Sequence, residues 1–130
     1  MGWWSTTVMG GDTPMDYMCD LEEVGGKNPQ KNIKKVIAHA KKVAKSDDAD
    51  SDYVGIMRQV LGVFMIERGI KMSDDIREFI LKGIESDDWA TTDKERKAHM
   101  DAFYKQVKNF KGKAATVPYE GLFEKMLAPK

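Results

Sequence analysis

Apolar positions recur along most of this chain with the period of a helix. The cleanest series is Ile33, Val36, Ile37, Ala40, Val43 and Ala44, spaced i, i+3, i+4, i+7. It predicts a helix over about residues 30–45 with one apolar stripe and lysines on the opposite face. Further on, Val60-Leu61-Gly62-Val63-Phe64-Met65-Ile66 is apolar nearly all round. A buried strand also carries such a run, but this one lies in an unbroken segment, Asp52–Arg68, that is too long for one. The segment predicts a central helix stopped by Gly69. Gly62 within it predicts the close crossing of a neighbouring helix.

Three more helices follow from stop and start signals. Thr13 as cap, Pro14 at the first helical position and Asp16 near the positive end predict a helix at 14–24, ended by Gly25-Gly26. Ser73 or Asp74 opens another, with Ile76, Phe79, Ile80, Gly83 and Ile84 on one side. Thr92-Asp93-Lys94-Glu95 has the form of a capping box, and the helix after it buries Met100, Phe103, Val107 and Phe110. Beyond KGKAATVP comes a short amphipathic end with Leu122, Phe123, Met126 and Leu127. Only Trp3–Val8 and Ala114–Val117 suit strands, and they could pair as a small ribbon. The expected architecture is a single all-α domain over residues 1–130, with five to six helices and a packed N-terminal arm.

Composition narrows the setting. A chain of 130 residues buries roughly two-thirds of its unfolded surface as one domain. No repeat, low-complexity tract or long Pro/Gly linker divides it. A lone cysteine, Cys19, excludes an intrachain disulfide. No apolar run approaches the roughly 18 residues of a membrane span, and the first residues do not read as a signal peptide. The expectation is a cytoplasmic protein with no membrane partner.

Net charge is zero, so no global field draws the chain to nucleic acid or lipid. The charges are segregated instead. Residues 1–26 hold five acids and no base, residues 27–45 seven lysines and no acid, and residues 46–52 four aspartates. Lys34, Lys35, Lys41 and Lys42 are therefore candidate contacts for a macromolecular partner, with Trp3 as an exposed aromatic beside them in function. The neighbouring acidic segments could equally neutralise these lysines, leaving a solvated face. A second basic group, Lys105, Lys108, Lys111 and Lys113, is interleaved with Phe103, Tyr104 and Phe110. Phosphate neutralisation plus stacking is what single-stranded nucleic acid needs, although the same aromatic spacing marks a core stripe.

The opening residues carry a resemblance. Gly2, Trp4 and Thr6, followed by Asp12, Asp16 and Asp20-Leu21, resemble the start of a family of small bacterial and phage proteins. Those chains open Met-Gly-Ala-Trp-Gly-Thr-Gly, with an acidic stretch and an Asp-Trp in the first helix. Here Trp3 replaces the small residue, Thr7 a glycine, and Tyr17 the second aromatic. GIKMSDDIREFI and KERKAHMDAFYKQV look like the family's helical remainder. The family is a domain of unknown function, so the resemblance implies a helical architecture and no activity. It marks Trp4, Asp12 and Asp16 as the family-defining positions, with Trp4 a structural anchor.

Other candidate chemistry is sparse. Gly10-Gly11-Asp12-Thr13 precedes a helix N-terminus and is a candidate phosphate or nucleotide site, but the lysine of a P-loop is missing and Asp12 and Asp16 oppose an anion. Asp48, Asp50 and Asp52 imitate the first ligands of a calcium loop, yet Tyr53 stands where Gly is needed and Gln59 where Glu is needed. His39, His99 and Cys19 have no metal-ligand neighbour at helical spacing, so no metal and no cofactor are expected. A nucleophile–histidine–acid set would have to assemble in space. Nine methionines could give an adaptable recognition surface, with core filling the default. The function expected is a non-catalytic interaction protein, by analogy a bacterial or phage accessory factor acting on a host or defence component. The rivals are a small-ligand module at Gly10–Thr13 and nucleic-acid binding through residues 27–45.

Overall fold

The computed structural model describes residues 5–46 and 55–118. Five helices occupy them: α1 (Asp12–Gly25), α2 (Ile33–Ser46), α3 (Ile56–Arg68), α4 (Asp74–Glu85) and α5 (Lys94–Asn109), with a short 3-10 turn at Trp89–Thr91 before α5. The all-α architecture is as the periodicity indicates. The arrangement is built around α3, which packs against α1, α2 and α4, while α5 packs on α4 and on the 3-10 turn.

Burial along α3 explains its central place. From Ile56 to Ile66 only Arg58 is not buried, so neighbours surround the helix rather than lying along one stripe. Its C-terminus closes as a Schellman motif. Gly69 adopts φ 67, its N–H donates to the Ile66 carbonyl, and the Ile70 N–H donates to the Met65 carbonyl at 2.9 Å. Only glycine takes that left-handed turn without strain, and the buried Ile70 covers it.

Small residues set how closely the other helices approach. A Cβ at Gly62 would lie 2.7 Å from Ile80 Cγ2 and 3.1 Å from Phe103 Cζ, so α4 packs closely on α3 there and the Phe103 ring of α5 reaches the same spot. At Gly83 of α4 a Cβ would meet Arg58 Cβ and lie 2.8 Å from the Gly55 carbonyl oxygen.

Several boundaries differ from expectation. Helix α1 starts two residues early, with Gly11 as its cap and no side-chain cap bond. Thr13 is therefore inside the helix, and Pro14 is its third residue, buried against the core. The proline still costs nothing, because the first-turn N–H it lacks would have had no helical partner. Helix α5 is capped by Asp93, whose side chain accepts from the Arg96 N–H at 3.0 Å, and not by Thr92, whose hydroxyl donates to the Trp89 carbonyl.

There is no strand among the described residues, so the ribbon does not form there. Residues 5–10 fold into a compact turn instead, closed by Ser5 N–H to Gly10 O at 3.2 Å and Gly10 N–H to Thr7 O at 3.1 Å. Val8 and Met9 are buried, so this part of the arm is packed down. The stretch at 114–117 docks on the end of α3, with the Ala115 N–H donating to the Ile66 carbonyl at 3.0 Å. Trp3, Trp4, the start of the expected third helix and the amphipathic end from Leu122 lie outside the described residues.

Alanine for glycine inside a helix ordinarily stabilises, by up to about 1 kcal/mol. Gly83→Ala is expected to do the opposite. The new methyl group meets backbone, which no rotamer change can move, and the cost should be about 1–3 kcal/mol. Urea unfolding of the variant measures this, and an unchanged or raised midpoint would contradict the close α3–α4 approach.

Candidate functional site

Helix α2 separates its two faces sharply. Val36 and Ala40 are fully buried, and Ile33, Ile37 and Val43 pack partly against the same core. Lys34, Lys35, Lys41, Lys42 and Lys45 are all exposed, as are Lys27 and Lys31 in the preceding turn. Asn32 holds that turn in place: its side-chain amide donates to the Gly25 carbonyl at 2.8 Å, and its own carbonyl accepts from Lys35 and Val36 N–H. No lysine of this face forms a salt bridge among the described residues. The acids of α1 do not neutralise it, and the aspartates at 47–52 lie outside the described residues.

The charge on this face opposes local stability. Lys34 and Lys35 sit in the first turn, which has no acidic residue, at the positive end of the helix dipole. Within α2, Lys41 and Lys45 are like-charged neighbours four apart, and Lys42 and Lys45 three apart. Each such arrangement costs a few tenths of a kcal/mol. The result is a concentrated row of lysines, none of them in a salt bridge among the described residues.

At its far end the face meets α4. Lys41 Nζ lies 6.0 Å from the Phe79 ring centre, and the Arg58 guanidinium stacks on the same ring at 4.1 Å. Arg58 also donates to the Phe79 carbonyl at 3.1 Å. A cleft of about 230 Å³ opens here, where Asp75 and Glu78 bring mixed charge.

The other sequence candidates are placed as follows. Gly10 and Gly11 are buried. A Cβ on Gly10 would strike the Ser5 side chain and come within 2.8 Å of its carbonyl oxygen, so close packing accounts for this glycine. Asp12 is exposed in the first turn, and Pro14 removes one of the N–H groups a phosphate would use. Cys19 is exposed on α1. His39 on α2 is half-buried, and its enclosed Nε2 has no hydrogen-bond partner. His99 lines a gap of about 20 Å³ beside Val8, Phe103 and Val117. No group of three or more His, Cys, Asp or Glu side chains able to hold a metal occurs among the described residues. The calcium-like run 48–52 and Trp3 lie outside them.

The aromatics of the second basic group are not a stacking platform. Phe103 and Phe110 are core residues, and Tyr104 is half-buried. Six methionines (Met9, Met18, Met57, Met65, Met72 and Met100) are likewise core, while Met15 is exposed.

Sequence reasoning missed one polar cluster. Arg96 of α5 is completely buried. Its Nε donates to Asp87 Oδ1 at 3.3 Å and one terminal nitrogen to Asp87 Oδ2 at 2.7 Å and Gln59 Oε1 at 3.2 Å. The other reaches the carbonyls of Thr6 and Thr7 at 3.3 and 3.0 Å. The Trp89 ring covers the guanidinium at 4.8 Å. Gln59 in turn donates to the Gly83 carbonyl and to Asp87 Oδ2, both at 3.0 Å. The signal was present: Arg96 precedes Met100, Phe103 and Val107 at i+4, i+7 and i+11, on the buried stripe of α5.

Burial by itself pushes the Asp87 carboxyl up. Hydrogen bonds and charge from Arg96 outweigh it, with bonds from Gln59 and the Ala90 N–H adding to them, so the group is held below the ordinary carboxylate range. Beside this cluster a cleft of about 470 Å³ lies between α5 and the end of α4, floored by Ile84, Met100 and Tyr104. An exposed Lys97–Asp101 ion pair, at 3.2 Å, stands at its edge.

Comparison with protein-family models, characterised proteins and solved structures finds no significant match. No helix among the described residues is long and apolar enough to cross a membrane.

Breaking one side of a buried ion pair leaves the other charge unpaired, so Asp87→Asn is expected to cost about 3–5 kcal/mol at neutral pH. The folded carboxyl titrates below its unfolded value. Its contribution is therefore present above about pH 4 and is lost as pH falls through the lower folded value. Denaturant unfolding between pH 7 and strongly acid pH should show the variant's deficit shrinking as the solution is acidified. A deficit that stays constant would separate Asp87 ionisation from stability.

Proposed function

We propose that this chain is a non-catalytic interaction protein, binding an acidic surface of a protein partner through the lysine face of α2. The observation that carries the reading is the set Lys34, Lys35, Lys41 and Lys42: exposed, in no salt bridge among the described residues, and with Lys34 and Lys35 set against the dipole of their own helix. A surface that spends local stability on repulsion has a use for that charge when a partner supplies the opposite sign. A protein partner is favoured over single-stranded nucleic acid because α2 has no aromatic residue and Phe103 and Phe110 are buried. The resemblance of the opening residues to small bacterial and phage proteins supports an accessory role, with a host or defence component as the partner.

The test compares the wild-type chain with the Lys34→Gln, Lys35→Gln, Lys41→Gln, Lys42→Gln variant as immobilised baits in bacterial lysate. Exposed charge pairs contribute about 0.2–1 kcal/mol each, so loss of four should weaken a stoichiometric protein partner by about fourfold or more. Thermal stability of the variant should be equal or higher, since like-charge repulsion is relieved. Equal capture by both baits would defeat the proposal. Retention of nucleic acid alone, abolished by salt, would reassign the face to phosphate binding.

A further inference from the structure

A second positively charged surface lies on α5, away from α2. Between the C-terminal half of α5 and the irregular segment after it runs an open groove of about 610 Å³. Ala102, Ala115, Pro118 and the edge of Phe110 give it an apolar floor, and Lys105, Lys111 and Lys113 stand along it. Among the described residues no acidic side chain lines the groove, and none of these lysines forms an ion pair.

The walls are fixed in advance. Gln106 of α5 donates to the Thr116 carbonyl at 3.0 Å, and the Ala115 N–H is held by the Ile66 carbonyl at 3.0 Å. Gly112 turns the chain at φ 98, and a Cβ there would lie 2.7 Å from Lys71 Cγ. Gly69 lets the segment pass close, since a Cβ there would lie 3.0 Å from the Ala114 nitrogen. Residues 113–116 are exposed. The N–H groups of Lys113 and Thr116 make no hydrogen bond among the described residues, which leaves main-chain donors beside the lysines.

We propose that this groove docks a short acidic peptide segment of a protein partner that carries alternating apolar side chains. The apolar side chains lie on the floor, carboxylates meet Lys105, Lys111 and Lys113, and the N–H groups of Lys113 and Thr116 donate to peptide carbonyls. Charge complementarity selects the occupant, because an unrelieved row of lysines over apolar surface rejects a basic or purely apolar segment. The buried Phe103 and Phe110 rings give no base a stacking surface, which disfavours a nucleic acid. A wall already held by backbone bonds has little ordering left to lose on binding. The site is independent of the α2 face and stands or falls separately from it.

Fluorescence anisotropy with the full chain tests it, using a labelled eight-residue peptide of alternating glutamate and leucine and a lysine–leucine counterpart. The acidic peptide should bind, more weakly as salt rises, and the basic one should not. The Lys105→Glu, Lys111→Glu, Lys113→Glu variant, with helicity and melting checked, should lose the acidic peptide by about tenfold or more and begin to take the basic one. The four-lysine α2 variant should bind as wild type does. Binding unaffected by the α5 changes, or lost with the α2 changes, overturns the proposal. So does displacement by oligo-dT with equal loss in the α5 variant, which would make the groove a phosphate track. A Phe123→Ser, Leu127→Ser variant that binds the peptide markedly tighter would identify the chain's own residues 119–130 as occupant, and would also overturn it.

Discussion

A guanidinium removed from water has to recover every hydrogen bond it gives up, and the requirements of Arg96 organise much of this molecule. The group has five N–H donors, and the structure supplies five acceptors from three separate regions: the carboxylate of Asp87, the side chain of Gln59 and the main chain at Thr6 and Thr7. Each acceptor is itself constrained. Asp87 also receives the Ala90 N–H at the 3-10 turn, and Gln59 also reaches the Gly83 carbonyl where α3 and α4 touch. The cluster links the N-terminal turn, α3, the end of α4 and the start of α5. Such a network contributes geometry more than net free energy, since desolvating the charges offsets much of what their pairing returns.

The hydrophobic skeleton was legible in the residues, and the reason is visible in the helices themselves. Helices α3, α4 and α5 bury the apolar positions their spacing assigns, with Phe79 only partly covered. Gly62 and Gly69 act as a crossing point and a stop, as local chemistry demands. Caps were less legible because adjacent residues compete for the same N–H. Thr92 and Asp93 both fit, and the position that brings Arg96 inward decides for Asp93. Arg96 itself was missed because a charged residue in the run Lys94-Glu95-Arg96-Lys97 looks like surface. Only its register with Met100 and Phe103 distinguishes it. The partners at Asp87 and Gln59 are set by tertiary geometry that no local pattern encodes.

The candidate surfaces show the reverse balance. Sequence placed Lys34, Lys35, Lys41 and Lys42 on one side of a helix, and the structure leaves that side uncovered. It could not show that α1's acids stay away from them. Nor could it show that Phe103 and Phe110 turn inward, which leaves the second lysine group beside a groove instead of a row of rings. Both surfaces lie apart from the Arg96 cluster, so charge changes on either leave the buried polar links intact.

The bonds from Arg96 to Thr6 and Thr7 join residues 90 and 89 positions apart. On a ribosome the chain emerges N-terminus first, so the turn at residues 5–10 is made long before its anchor exists. Val8 and Met9 then have no α5 to cover them until nearly the whole described chain has been synthesised. Helices α1 to α3 can associate during that interval, because their mutual contacts need nothing downstream. The arm's bonds to the guanidinium can form only once α5 has been made.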